Sequence, residues 1–139
     1  MPFEVFHRQR APVTDDPTVT IQKRGNISIN VPAYIALGSP QSVELLYDRD
    51  ERLIAIRKVD PSAPSAYVMR PLAARRKTPQ PPSSYLVSGI AFTSYYAIPT
   101  DVARRWIAHV AEDDMLVVDL KEPGTEVTSN RDVKRDQNP

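Results

Sequence analysis

His7 and His109 are the two imidazoles of this 139-residue chain, and neither has a second ligand at a spacing that metal or acid–base chemistry uses. Zinc requires three or four convergent ligands, and the absence of cysteine removes the thiolate sites. Each histidine therefore reads as a surface or hydrogen-bonded residue. Glu112-Asp113-Asp114 has enough carboxylates for magnesium, but adjacent acids in a hairpin tip are ordinarily solvated loop. The four glycines form no phosphate-cradling pattern, and no serine stands in a nucleophile elbow. The expectation is a protein that is not an enzyme, with no catalytic residues, no metal and no cofactor.

Cations are the remaining functional signal. Arg8 and Arg10, the run Lys23-Arg24 with Asn26, and the cluster Arg75-Arg76-Lys77 are candidate contacts to an anionic partner such as double-stranded DNA. A net charge of +1 gives no global attraction to nucleic acid or membrane. The distribution is less even. Residues 61–84 hold Arg70, Arg75, Arg76 and Lys77 without an acid, a local +4, whereas residues 85–120 set Arg104 and Arg105 against Asp101, Glu112, Asp113, Asp114 and Asp119, a local −3. The basic stretch either neutralises the acidic one or forms an arm for an anionic partner. Phe92, Tyr95 and Tyr96 either stack on bases or pack in the core, and their place on an expected helix favours packing.

The elements that carry these groups follow from composition and pattern. The length suits one domain or two very small ones. Fourteen prolines, about twice the usual ~5% share, argue against a helical bundle. No apolar run approaches the ~18 residues of a membrane span and residues 1–3 open no signal region, so a cytoplasmic location without membrane contact is expected. Residues 1–17 read as an arm or edge strand. In 18–59, Val19 and Ile21 alternate with polar residues, Lys23-Arg24-Gly25-Asn26 turns the chain, and Ile27 and Ile29 alternate again. Gly25 suits a positive backbone angle. Asn30 is an N-cap candidate, Pro32 suits a first helical turn, and Gly38 with Pro40 stops the helix. Val43 to Tyr47 and Leu53 to Ile56 form a hairpin across Asp48-Arg49-Asp50-Glu51-Arg52. Residues 60–84, with six prolines, read as a linker in which Tyr67-Val68-Met69 alone touches a sheet edge. Residues 85–120 form a second unit, and 121–139 a disordered polar tail.

Shifted by 61 positions, the first unit falls on the second: Ile29 on Ile90, Tyr34 on Tyr95, Leu37 on Ile98, and Ile54-Ala55-Ile56 on Met115-Leu116-Val117. Each unit then reads as strand, short helix and hairpin. A competing reading makes Val102 to Val110 an amphipathic helix, since Val102, Trp106 and Val110 stand four apart. A unit of ~40 residues is too small to bury its own core, so two copies must pack together, within one chain or in a dimer.

The run Gly25 to Pro32, the Leu37-Gly38 step and the hairpin Val43 to Val59 resemble the AbrB/MazE/MraZ swapped-hairpin superfamily, with the tandem arrangement of MraZ. The resemblance implies a mainly β fold with short helices, two units closing a pseudo-two-fold swapped-hairpin barrel. It also implies DNA binding by a small regulator or antitoxin-like protein, dimeric and non-enzymatic. Arginines usual after the glycine and on the short helix are replaced here by Asn26, Tyr34 and Ile35, leaving Lys23 and Arg24 as the cationic turn. Arg49, Arg52, Arg57 and Lys58 are interspersed with Asp48, Asp50 and Glu51. The alternative is a protein-interaction or structural module that keeps the fold without the DNA surface.

Overall fold

The computed structural model describes residues 16–72, 81–111 and 114–127. Strands β1 (Thr18–Ile21) and β2 (Ile27–Asn30) alternate as their sequence demands, with Val19, Ile21, Ile27 and Ile29 buried and the residues between them only partly so. Helix α1 (Val31–Ala36) follows at once. Asn30 caps it: its Oδ1 accepts from Ala33 N and from Thr18 N, both at 3.0 Å, and its Nδ2 donates to the Asp16 carbonyl at 2.8 Å. One side chain thus starts the helix and fastens the beginning of β1. At the other end Gly38 takes φ 85°, and Ser39 N reaches back to the Tyr34 carbonyl at 3.0 Å, the left-handed helix stop that glycine permits.

The hairpin of β3 (Ser42–Asp48) and β4 (Leu53–Lys58) comes next. Its tip is an Asx turn, in which Asp48 Oδ1 accepts from Asp50 N and Glu51 N at 3.0 Å. The proline-rich stretch keeps more structure than its composition suggests. β5 (Tyr67–Val68) pairs with β3, β6 (Arg70–Leu72) pairs with β7 (Ser84–Val87), and Pro71 is tolerated because β6 is an edge strand among the described residues. Helix α2 (Ile90–Tyr95) then leads to β8 (Arg104–Ile107), β9 (His109–Ala111) and β10 (Met115–Asp119). The segment Val102 to Val110 therefore contains a bend, β8 and the start of β9, and the competing helix is not formed. β11 (Thr125–Glu126) pairs with β8, so part of the expected polar tail is ordered at a sheet edge. The arm at 1–15 and the remainder of the tail lie outside the described residues.

All pairings are antiparallel and form two sheets, β11-β8-β1-β2-β7-β6 and β5-β3-β4-β10-β9. The fold is mainly β, as expected, but it is two sheets and not a closed barrel. The chain passes between the sheets at two one-residue breaks, Met69 between β5 and β6 and Ala108 between β8 and β9. Both breaks are buried, and their N–H groups are satisfied at the residue preceding a strand: Met69 N on Gln41 O and Ala108 N on Pro17 O, each 2.9 Å. Strands that switch sheets in this way make the corners of a two-layer packing.

Between the layers lies one core, in which Ile21, Ile27, Ile29, Ile54, Ile56, Val87, Leu116 and Val118 have almost no exposed surface. Each such side chain contributes on the order of 1.5–3 kcal/mol relative to exposure. Strands at matching places in the two halves pair: β2 with β7 and β4 with β10. The uniform offset of 61 is corrected by the registers. Buried Ile54 and Ile56 match buried Leu116 and Val118 at an offset of 62, while Ile27 and Ile29 match Tyr85 and Val87 at 58. At 61 the last strand is out of phase, and a one-residue slip exchanges the faces of a strand. Ile90, aligned with buried Ile29 at that offset, is accordingly exposed.

Candidate nucleic-acid interface

The turn between β1 and β2 is closed by Gly25 N on Gln22 O at 2.9 Å and Gln22 N on Asn26 O at 2.8 Å. Arg24 and Gly25 both have positive φ, 82° and 109°. Lys23 and Arg24 are exposed, whereas Gly25 is buried. The burial has a definite cause. A Cβ on Gly25 would stand 2.2 Å from Thr93 Oγ1, so the turn is seated directly on α2. Thr93 is itself buried, and its hydroxyl lies 3.1 Å from the carbonyls of Gly89 and Ile90 and 3.4 Å from that of Gly25. Its single proton serves this group of acceptors, 68 residues from the turn it supports.

Helix α2 presents Ile90, Ala91, Ser94 and Tyr95 to solvent, Tyr95 being 72% exposed. The three aromatics considered together in the sequence separate here. Phe92 is buried and meets Tyr47 and Tyr96 edge-on, at 6.3 and 5.2 Å between ring centroids. Tyr96 is half-buried, and Tyr95 stands outside it. Arg49, from the β3–β4 tip, places its guanidinium carbon 4.9 Å from the Tyr96 ring centroid and 5.7 Å from that of Tyr95, within cation–π range. The Gly25 turn thus meets α2 at Ile90 and Thr93, while Arg49 lies over Tyr95 and Tyr96 at the end of the helix.

Among the described residues Lys23, Arg24 and Arg49 belong to no ion pair, whereas Arg57 is paired with Glu44, Lys121 with Glu51 and Asp119, and Arg104 with Glu126 at 3.9 Å. No family model, curated protein or solved structure matches this chain. The surface around α2 must therefore be interpreted from its own chemistry. Of the residues singled out in the sequence, Lys23, Arg24 and Asn26 are together on the turn. The Asn26 Oδ1 is enclosed and accepts no hydrogen bond among the described residues. Arg8, Arg10, Arg75, Arg76 and Lys77 lie outside the described residues.

Arg49 is inconspicuous in the sequence, because the neighbouring Asp48, Asp50 and Glu51 mask its charge. Its distance from Tyr95 along the chain carried no signal that the two would meet. Among the described residues no group of three His, Cys, Asp or Glu is arranged to hold a metal ion, and no helix is long and apolar enough to cross a membrane.

Proposed function

We propose that this chain is a small non-enzymatic DNA-binding regulator, cytoplasmic and dimeric, built on two units of the swapped-hairpin, AbrB-like type. The order strand, helix, hairpin in both halves supports that reading, as does the pairing of β2 with β7 and β4 with β10. One observation carries the nucleic-acid assignment: a turn bearing Lys23 and Arg24 is anchored on α2 by Gly25, and Arg49 stands over the tyrosines at the far end of that helix. Phosphate contacts dominate such binding. Lys23 and Arg24 take phosphates in this reading, Asn26 shapes the turn, and Arg8, Arg10, Arg75, Arg76 and Lys77 add contacts from the flanking segments.

The test is fluorescence anisotropy with a mixed-sequence duplex over a salt series. The full chain should bind with an affinity that falls steeply with salt, and Lys23→Ala with Arg24→Ala should lower the slope of that dependence by about 2, one for each lost phosphate contact. Absence of duplex binding at low salt refutes the assignment.

A second reading, a protein-interaction module, is favoured by one feature. Ile107 and Val110 are 58% and 52% exposed on β8 and β9, and β9 is the edge of its sheet among the described residues. Exposed edges recruit further strands. Recovery of a protein partner that resists nuclease, from a chain that ignores duplex DNA, would decide for this reading.

A further inference from the structure

The β3–β4 tip, the loop after α2 and the turn after β10 enclose a trough on a part of the molecule separate from the Lys23–Arg24 turn. A hollow of about 240 Å³ continues into a second of about 300 Å³, and Arg52, Ile98, Pro99 and Leu120 wall both. That size suits a small molecule, and the walls combine apolar residues with several charged ones.

The floor is rigid. Trp106 is 8% exposed, and its indole N–H is donated to the Glu122 carbonyl at 2.9 Å. The absent side chain of Gly124 makes room for it, since a Cβ there would come within 2.7 Å of Trp106 Cε2. With its N–H occupied and little of it exposed, the indole offers the hollow a small patch of carbon surface. Two wall residues, Arg52 at φ 55° and Ala97 at φ 53°, hold left-handed backbone without being glycine.

The charges have distinct employments. Lys121 is held by Asp119 at 3.3 Å and Glu51 at 3.4 Å, and Arg104 Nη1 donates to the Pro123 carbonyl at 3.2 Å. Arg52 has no ion pair and no side-chain hydrogen bond among the described residues. Asp101 and Glu122 also line the hollow. Against Arg52, Arg104 and Lys121 they leave a surplus of one positive charge in the first hollow, and Arg49 adds another in the second, so the trough as a whole favours an anion.

We propose that this trough binds a small carboxylate bearing one flat ring, with the ring on the Trp106 and Pro99 surface and the carboxylate on the Arg52 guanidinium. Guanidinium and carboxylate pair in a bidentate, charge-assisted geometry. The assignment uses neither Lys23 nor Arg24, although Arg49 and Tyr96 line the second hollow as well.

Trp106 is the only tryptophan of the chain, so its fluorescence reports occupancy directly. Benzoate titrated into the full chain should change that emission saturably, with half-saturation of about 1 mM, the range of a weak small-ligand site. Benzyl alcohol, which lacks the charge, and acetate, which lacks the ring, should each bind about tenfold more weakly or worse. Arg52→Gln should lose a comparable factor while keeping its circular dichroism and melting curve, and Arg70→Gln should bind as the parent does. Amide and indole NMR shifts on adding benzoate should centre on Ile98, Trp106 and Leu120. No saturable response, an equal response to benzyl alcohol, an unaltered Arg52→Gln, or shifts centred elsewhere would each overturn the proposal.

Discussion

Replacing Gly25 by alanine tests whether the cationic turn is held by α2. Two costs add. At φ 109° an L-residue occupies backbone that a side chain disfavours, a strain of about 1–2 kcal/mol. The new Cβ also lands 2.2 Å from Thr93 Oγ1, while its next neighbours, Ile90 Cα and Thr93 Cβ, lie at an ordinary 3.4 Å. The hydroxyl is thus the one hard collision. It cannot swing away freely, because Thr93 is buried and its oxygen faces three carbonyls. A shift of the turn or helix adds about 1–3 kcal/mol, the usual cost of overpacking, for a total of about 2–5 kcal/mol. Urea unfolding measures the loss, and a double-mutant cycle isolates its cause. Thr93→Ala alone should cost about 1–2 kcal/mol. Combined with Gly25→Ala it removes the colliding atom, so the double variant should be more stable than the sum of the singles by at least about 1 kcal/mol. Thr93→Val keeps a methyl near that position and should give no such relief. A loss below about 1 kcal/mol for Gly25→Ala, or the same coupling with valine as with alanine, would refute the packing argument.

Asn30→Ala removes an N-cap together with the tie to Asp16 and Thr18; a loss of about 2 kcal/mol is expected by urea unfolding, at the upper end for a cap. Ala97 occupies at the end of α2 the left-handed place that Gly38 takes after α1, so Ala97→Gly should raise stability by up to about 1 kcal/mol, read from the same curves. Glu44 accepts from Ser65 Oγ at 2.6 Å and pairs with Arg57, contacts that hold its carboxyl below the ordinary value of 4.5. A depressed folded-state value means stability that is present above the unfolded value and lost as pH falls through the folded one. Glu44→Gln should therefore flatten the loss of stability below pH 4.5, and an unchanged acid limb in pH-dependent melting would contradict this.

Local chemistry was the most legible part of the fold. Asn30, Gly25, Gly38 and the alternation of Val19, Ile21, Ile27 and Ile29 act over a few residues, and each does in the structure what its type predicts. The second half was harder because its strands break the rules that make strands readable. β8 and β9 are separated by the corner at Ala108, which buries Trp106 and Ala108 and leaves Val110 outside. Apolar residues four apart then imitate a helix. β6 and β11 are edge strands paired through their backbones, so Pro71 and Thr125-Glu126 show no hydrophobic pattern. The offset of 61 failed for a related reason. It lies between a displacement of 58 before α2 and one of 62 at β10, and the four-residue difference falls in α2 and the segments joining it to β10. Of the candidate interface, the Lys23–Arg24 turn was legible as a turn, while its seat on Thr93 and the meeting of Arg49 with Tyr96 depend on tertiary contacts.

The pairing of β4 with β10 has a consequence for assembly. Ala55 faces Val117 at its middle, with Ile54 and Ile56 crossing Val118 and Leu116 on either side, and the β2–β7 ladder is balanced in the same way about Ser28 and Leu86. Each seam therefore joins nearly equivalent edges, one from each half of the chain. A second molecule carries the same edges, and an exchange of hairpins between two copies would re-form the same ladders. Whether the seams close in one polypeptide or are exchanged between two is then governed by effective concentration, the length and stiffness of the connection weighed against the abundance of the protein.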